Sequence, residues 1–258
     1  MDFSDARQRT AFFAIHSDLD REGPGNGPST RRALALAQPL PRRPRVLDIA
    51  CGPGAQTLDL AASLPDASIV VVDSHAPYLE QLRRRAIVAG CSDRIATVHG
   101  DMSALDLRPG VFDLIWCEGA AYIMGVPAAL RAWRPLLREG GRIALTEAVW
   151  LRDDPPPEVR ANWAEYPAMV DVPAVRDQFE AAGYALLGDF VLPSEAWWEY
   201  YGPIVARLAR LKGRFDDDPV AAAVIEEGRA EVECYRKHPD YFGYAFFIAS
   251  PCAPSLQQ

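Results

Sequence analysis

The sequence lacks any long apolar segment. No run of about 18 apolar residues occurs along the chain, so we expect no membrane-spanning helix. The opening residues, MDFSDARQRTAFF, also lack the basic start and following apolar stretch that are typical of a signal peptide. Membrane partners are therefore not expected.

Cysteine and histidine are few and scattered. The five cysteines contain no C-x-x-C pair, and the four histidines show no spacing that is typical of metal ligands. A cysteine pattern of this kind is typical of a reduced, cytoplasmic protein. We therefore predict a cytoplasmic location and no metal.

An excess of positive charge is absent as well. The formal net charge is −8, and the basic runs RRPR (42–45) and RRR (83–85) are short enough to be ordinary solvated surface. A nucleic-acid backbone requires a basic face on its protein partner. The composition therefore argues against a nucleic-acid partner.

Short apolar segments alternate with helical patterns over much of the chain. Near-continuous apolar runs, typical of strands covered on both faces, lie at 45–51, 68–74, 94–100, 112–118 and 141–150. The helical patterns between them lie at 56–64, 76–90 and 127–141. This alternation predicts right-handed βαβ units and a parallel, doubly wound α/β sheet.

Three further features complete the predicted fold. Additional strands are expected at 184–193 and 243–250. Pro135 should kink or shorten the helix over 127–141, which should end at Gly140–Gly141.

Two segments do not follow the alternation. Residues 1–44 include the glycine- and proline-rich REGPGNGPST (21–30), which is either a connecting loop or a lid over a ligand. Residues 194–240 are helical and aromatic, and they can cap the sheet. With 49% hydrophobic residues, we predict one domain over 1–258, with its core at 45–150.

A strand, a glycine-rich turn and a helix are predicted within VLDIACGPGAQTLDLA (46–61). Glycines in such a turn let the backbone approach a ligand closely. Gly52 and Gly54 fit the dinucleotide pattern G-x-G-x-x-G, but Thr57 occupies its third position. Asp48 in the strand would also repel a pyrophosphate. An NAD-dependent oxidoreductase is therefore a disfavoured alternative.

Acidic residues lie within or after three successive strands. Asp48 would attract an ammonium group, Asp73 is placed to accept both hydroxyls of a ribose, and Asp101 can bond an adenine amino group. Met102 can cover the adenine ring. Together these residues indicate a ligand with a ribose, an adenine and an ammonium group but no phosphate, as in S-adenosylmethionine.

These motifs resemble those of class I S-adenosylmethionine-dependent methyltransferases. The family's first motif falls on Asp48-Ile-Ala50-Cys-Gly52-Pro-Gly54, where Ala50 replaces a glycine. The resemblance implies a ribose site at Asp73 with Ser74 beside it, an adenine site at Asp101 and Met102, and a methionine end near Glu118 and Gly119. Its expected product is S-adenosylhomocysteine.

A closer likeness extends over nearly the whole chain. SDLDREGPGN, LIWCEGAAYIMG and YFGYAFFIA resemble a bacterial subgroup of small-molecule methyltransferases that is described as ubiquinone-biosynthesis-like. This likeness implies a Rossmann-like sheet of order 3-2-1-4-5-7-6 with the last strand antiparallel. It also implies that the segment containing Arg21 folds over the cofactor and that the late helices contribute to an acceptor pocket.

The acceptor end is less well defined by the sequence. Glu118 is the first candidate for a base, His238 is the second, and Tyr122 is a candidate for the acceptor pocket. Tyr244 is a weaker candidate. The aromatic residues of a predicted helix either pack in the core or face that pocket: Trp197, Trp198, Tyr200 and Tyr201.

The predicted reaction is in-line transfer of a methyl group to a small molecule. Aromatic residues and an acidic balance suggest a partly apolar or cationic acceptor, and cation–π contact would favour an amine. A non-catalytic cofactor-binding module and a protein or RNA methyltransferase are the alternatives. A homodimer is also possible.

Overall fold

The computed structural model describes residues 4–252, so residues 1–3 and 253–258 of the predicted domain lie outside the described residues. The strands are β1 (Arg45–Ile49), β2 (Ser68–Asp73), β3 (Ile95–His99), β4 (Phe112–Cys117), β5 (Leu137–Trp150), β6 (Val170–Asp171), β7 (Tyr184–Val191) and β8 (Phe242–Pro251). The helices are α1 (Ala6–His16), α2 (Gly27–Leu36), α3 (Ala55–Ser63), α4 (Ala76–Val88), α5 (Val126–Trp133), α6 (Pro157–Asn162), α7 (Val172–Ala181), α8 (Ser194–Arg210) and α9 (Pro219–Lys237).

These strands form one mixed sheet in the order β3-β2-β1-β4-β5-β8-β7, and the short β6 pairs with β5. Strands β1 to β5 run parallel to one another, whereas β8 is antiparallel to both β5 and β7. The predicted order 3-2-1-4-5-7-6 follows the same path when the two-residue β6 is not counted. The predicted fold class is therefore confirmed.

Apolar residues cover both faces of the sheet. Every residue of β4 is buried, and so is every residue of β1 except Arg45. Each face carries its own hydrophobic cluster: Trp116 and Phe246 belong to one, and Ile115 and Phe247 to the other. The near-continuous apolar runs in the sequence reflect this two-sided burial.

The helix expected over 127–141 is shorter than predicted. It ends at Trp133, a three-residue 3₁₀ turn follows, and β5 begins at Leu137. Pro135 has no N–H to continue the helical hydrogen bonds, so the chain leaves the helix there. The prediction that Gly140–Gly141 ends the helix is wrong, because both glycines lie within β5.

The N-terminal segment is attached to the sheet domain at several points. Helix α1 packs against α8 and α9. The Gln81 side chain donates a hydrogen bond to the Leu19 carbonyl at 2.7 Å, and Arg85 donates to the Asp20 carbonyl at 3.0 Å. Within residues 4–252, none of the helices combines the length and apolar character that crossing a bilayer demands.

The turn after β1 depends on a glycine that has no room for a side chain. Gly54 has φ +88°, and an added Cβ would lie 2.3 Å from Cδ1 of the fully buried Leu82. We expect Gly54→Ala to lower the free energy of unfolding by about 2–4 kcal/mol, because backbone strain and overpacking add. Chemical denaturation measures this loss.

Gly110 provides the matched control for that variant. It also has a positive φ, +67°, but an added Cβ would meet nothing within 4 Å. Gly110→Ala should therefore cost only the backbone strain, about 1–2 kcal/mol. Equal losses in the two variants would contradict the packing explanation.

Candidate functional site

A cavity of about 530 Å³ lies at the carboxyl ends of β1, β2 and β4. Its volume is in the range of small-molecule sites. The residues that line it come from the turn after β1, the ends of β2 and β4, and the N-terminal segment. Eight of the predicted site residues are among them: Arg21, Ala50, Gly52, Asp73, Ser74, Glu118, Gly119 and Tyr122.

The turn after β1 forms one wall of this cavity. Ala50 adopts φ +55° and Gly52 adopts φ +54°, so the chain reverses sharply within a few residues. If Gly52 carried a Cβ, the nearest atom to that Cβ would be Glu22 Cγ, at a distance of 3.9 Å. Gln56 secures the turn by donating a hydrogen bond to the Cys51 carbonyl at 2.9 Å. The turn backbone is thus open to a ligand.

Asp48 is fully buried beneath the turn and does not line the cavity. Its Oδ2 accepts a hydrogen bond from Thr57 Oγ1 at 2.5 Å, while Oδ1 has no partner within residues 4–252. Burial, reinforced by the charges of Glu118 and Asp73, raises the pKa of Asp48 to about 8. Asp48 therefore links β1 to α3 beneath the turn, and its predicted contact with the ligand stays a prediction.

Asp73 lies at the end of β2 and lines the cavity. Its Oδ2 accepts a hydrogen bond from the Gly52 amide at 2.8 Å, and Oδ1 accepts one from the His75 amide at 2.8 Å. A carboxylate oxygen can accept more than one hydrogen bond. Both oxygens are thus fixed in orientation and can still accept from neighbouring hydroxyl groups.

Glu118 follows β4 and receives hydrogen bonds from three directions. Its Oε1 accepts from Trp116 Nε1 at 2.9 Å and from Thr30 Oγ1 at 3.2 Å, and Oε2 accepts from Arg21 Nη1 at 3.4 Å. The side chains of Glu118 and Arg21 are only 5% and 7% exposed. Burial raises the pKa of Glu118, and Arg21 opposes that rise.

A second glycine brings the N-terminal segment close to this ion pair. An added Cβ on Gly25 would lie 2.0 Å from Arg21 Nη1 and 2.7 Å from Glu118 Oε2. The Gly25 amide also donates to the Ala196 carbonyl at 3.0 Å. The glycine-rich segment therefore passes directly over the carboxylate that follows β4.

Besides Asp48, four predicted site residues do not line the cavity, and the first of them is Gly54, which lies against Leu82. Asp101 is exposed, and its Oδ1 accepts from the amide and hydroxyl of Ser103, both at 2.7 Å. Met102 is partly buried outside the cavity lining. The His238 ring pairs with Glu158 at 3.2 Å, also outside the lining. Their roles at the site remain predictions.

The aromatic residues near the start of α8 pack mainly in the core. Trp197 stacks on Tyr235 with ring centroids 4.2 Å apart, and Tyr201 lies 5.7 Å from the same ring. Tyr200 is also buried, and Trp198 packs at the edge of the cluster. These side chains hold α8 against α9 and do not line the cavity.

Some residues at the site carried no signal in the sequence. Phe12 and Phe13 of α1 line the cavity, and Phe13 stacks on His75 with centroids 4.9 Å apart. Thr57 was interpreted only as a broken dinucleotide pattern, yet it is the hydrogen-bond partner of Asp48. The Phe13–His75 contact joins distant segments, and the Thr57–Asp48 bond spans nine residues within one motif whose sequence did not reveal the pairing.

Fold and cavity together define a class of protein. A doubly wound sheet binds ligands at the carboxyl ends of its strands, and an acidic residue after the second strand is typical of a ribose site. Here that residue is Asp73, which accepts a hydrogen bond from Gly52 in the turn after β1. Strand β1 itself contains the buried Asp48. The arrangement is that of a Rossmann-like protein that binds a nucleoside cofactor.

Comparison with known proteins identifies the family. A family profile described as a methyltransferase domain matches residues 46–141. A malonyl-[acyl-carrier protein] O-methyltransferase of Enterobacter lignolyticus is 28% identical over 83% of this chain and 76% of its own length. A ubiquinone/menaquinone biosynthesis C-methyltransferase of Paracoccus denitrificans is 33% identical, over 40% of this chain and 41% of its own length.

A solved structure has the same fold over almost the entire chain. It is an S-adenosylmethionine-dependent methyltransferase from Geobacter sulfurreducens in complex with S-adenosylhomocysteine, 22% identical, with a TM-score of 0.81. The alignment covers 94% of this chain and 98% of that one. Residues 46–141 thus match a methyltransferase domain, and these similarities support an S-adenosylmethionine-dependent methyltransferase of the bacterial small-molecule type. The predicted family, enzyme class and cofactor are confirmed.

The buried Asp48 should make stability depend on pH. Its pKa is raised in the folded state, so its contribution to stability is fully present below about pH 4 and is lost as the pH rises through about 8. The side-chain amide introduced by Asp48→Asn does not titrate. We therefore expect this variant to gain stability relative to the parent protein, by about 1 kcal/mol or more between pH 5 and pH 8.

Thermal or chemical unfolding of both proteins across that range measures the effect, and the difference between them isolates Asp48 from other groups. A difference that is constant with pH, or that moves in favour of the parent protein as the pH rises, would contradict the assignment.

Proposed function

We propose that the cavity at the ends of β1, β2 and β4 binds S-adenosylmethionine and that the chain transfers its methyl group to a small-molecule acceptor. The observation that carries this proposal is Asp73. Its carboxylate lies within the cavity and is oriented by two backbone amides at 2.8 Å. A carboxylate held in this way suits the two hydroxyls of a ribose.

The remaining lining residues fit the other parts of the cofactor. Gly52 leaves the turn backbone open to close approach, and Ser74 lies beside the ribose acid. Arg21, Glu118 and Gly119 would lie at the methionine end, where a carboxylate and an ammonium group need opposite charges. When bound, S-adenosylmethionine supplies a methyl group that is already activated on a sulfonium.

The chain's own contribution is then positioning and exclusion of water. We propose that residues 1–44 act as a lid over the core at 45–150. The aromatic rings of Phe12 and Phe13 close one side of the cavity, which supports this role. The helices at 194–240 would cap the acceptor side as part of a single domain over 1–258.

Glu118 fits an orienting role better than that of a base. Three donors already bond its two oxygens, and its side chain is 5% exposed. His238, the second predicted base, pairs with Glu158 and is not among the residues that line the cavity. Tyr122 lines the cavity and is 39% exposed, which suits an acceptor contact.

The acceptor, the cellular location and the assembly of the enzyme can be considered from its composition and its relatives. The relatives are named as methylating a malonyl-acyl-carrier protein and a quinone precursor, so their acceptors differ too much to assign one here. A net charge of −8 supports an enzyme that does not bind nucleic acid. We further propose a cytoplasmic location, with a homodimer as a possible assembly.

Asp73→Ala tests the cofactor site most sharply. Loss of two charge-assisted hydrogen bonds should weaken S-adenosylhomocysteine binding by about 10–100-fold. Isothermal titration calorimetry measures the dissociation constant, and circular dichroism checks the fold.

Asp113→Ala is the matched control. Asp113 is another buried acceptor of a backbone amide, bonding Arg45 N at 2.7 Å, but it lies at the amino end of β4. Its loss should leave the dissociation constant unchanged. Wild-type affinity in the Asp73 variant, or an equal loss in both variants, would contradict the ribose assignment.

A further inference from the structure

A buried carboxylate outside the cofactor contacts has no assigned role. Glu147 lies near the end of β5 and is 1% exposed. Within residues 4–252, no donor meets full hydrogen-bond geometry at either of its carboxylate oxygens, and its polar neighbours are the uncharged Tyr166 hydroxyl and Ala148 amide. Burying a carboxylate without a partner is costly, so its retention calls for an explanation.

The strand register places Glu147 next to the cofactor cavity. Cys117 of β4 pairs with Leu145 of β5, so Glu147 lies two residues further on, level with Gly119. Thr146 Oγ1 accepts a hydrogen bond from the Gly119 amide at 2.7 Å, which fixes the two strand ends together. Since Gly119 lines the cavity, Glu147 belongs to the same edge of the sheet.

Three tyrosine hydroxyls lie close enough to this carboxylate to respond to its charge. Tyr122, which lines the cavity, lies 5.3 Å from Tyr166 between ring centroids, and Tyr244 lies 6.4 Å from Trp163. The charge of Glu147 acts on the hydroxyls of Tyr122, Tyr166 and Tyr244, raising the pKa of each beyond the effect of burial. The carboxylate and the rings therefore form one cluster.

The cluster also contains a donor without a partner. The indole N–H of Trp163 is buried and bonds no other group within residues 4–252. Of this cluster, Tyr122 lines the cavity, whereas Glu147 and Trp163 are buried and do not line it. A carboxylate without a cation, an N–H donor without a partner and several aromatic faces are together suited to a ligand with a positive charge and a hydrogen-bond acceptor.

Nearby groups do not neutralise the carboxylate. Burial raises the pKa of Glu147 to about 7, and the groups that oppose this rise are the uncharged Tyr166 hydroxyl and Ala148 amide. Glu118 differs, because Arg21 lies against it. Among the described residues, Glu147 is therefore a buried carboxylate near this edge that lacks a cation.

We propose that Glu147, with the rings of Tyr122 and Tyr166, forms the acceptor subsite and that it takes a compact cationic amine carrying a hydrogen-bond acceptor. This assignment rests on the proposed function, because the subsite serves the acceptor of the same methyl transfer. A protonated amine would give its N–H proton to a Glu147 oxygen, leaving a neutral nitrogen lone pair and a neutral carboxyl group.

The test compares a cation with its neutral carbon isostere. Choline and 3,3-dimethylbutan-1-ol have the same shape and hydroxyl group, and choline cannot accept a further methyl group on nitrogen. Each is titrated by calorimetry into protein saturated with S-adenosylhomocysteine. We expect the wild type to bind choline about ten-fold or more tightly than the alcohol.

Glu147→Gln should abolish that preference while leaving the affinity for S-adenosylhomocysteine unchanged. Glu180→Gln, which removes an exposed carboxylate from α7, should retain the preference. Equal binding of the two probes by the wild type, or a preference retained in Glu147→Gln, overturns the proposal. Intact S-adenosylhomocysteine binding without a cation preference refutes the subsite alone, whereas failure of the wild type to bind S-adenosylhomocysteine refutes the proposed function with it.

Discussion

The site depends on a buried ion pair that joins two distant parts of the chain. Glu118 follows β4, Arg21 belongs to the N-terminal segment, and their charged atoms meet at 3.4 Å with little exposure to water. Removing one partner from such a pair commonly costs about 3–5 kcal/mol, because the other charge stays buried. Only the absence of a side chain at Gly25 lets the backbone pass over this pair. The N-terminal wall of the cavity is therefore fixed by electrostatics and close packing together.

The parallel sheet supplies the second constraint. Because β1, β2 and β4 run in the same direction, the residues that follow them meet at one edge. Asp73 then reaches the Gly52 amide across the strand ends, and Thr57 reaches down to Asp48. Two carboxylates with similar positions in their strands thus have different roles. Asp73 faces the cavity, whereas Asp48 supports the turn from below.

The sequence predicted the features that depend on local pattern. Apolar runs marked the strands, and the acids and glycines at strand ends marked the cavity. Two features had no such signal: the Asp48–Thr57 bond crosses from strand to helix, and Glu147 lies inside an apolar strand that was interpreted only as core. The helix before β5 was predicted too long because two glycines resembled a helix end, although Pro135 had already stopped it.

The most direct measurement of the central claim is transfer of an isotope-labelled methyl group from S-adenosylmethionine into fractionated small metabolites, followed by mass spectrometry. We expect a labelled small-molecule product, formed together with S-adenosylhomocysteine, and the identity of that product names the acceptor. Labelled product in no fraction, from protein that binds S-adenosylhomocysteine, would contradict small-molecule methyl transfer and favour a cofactor-binding module without catalysis.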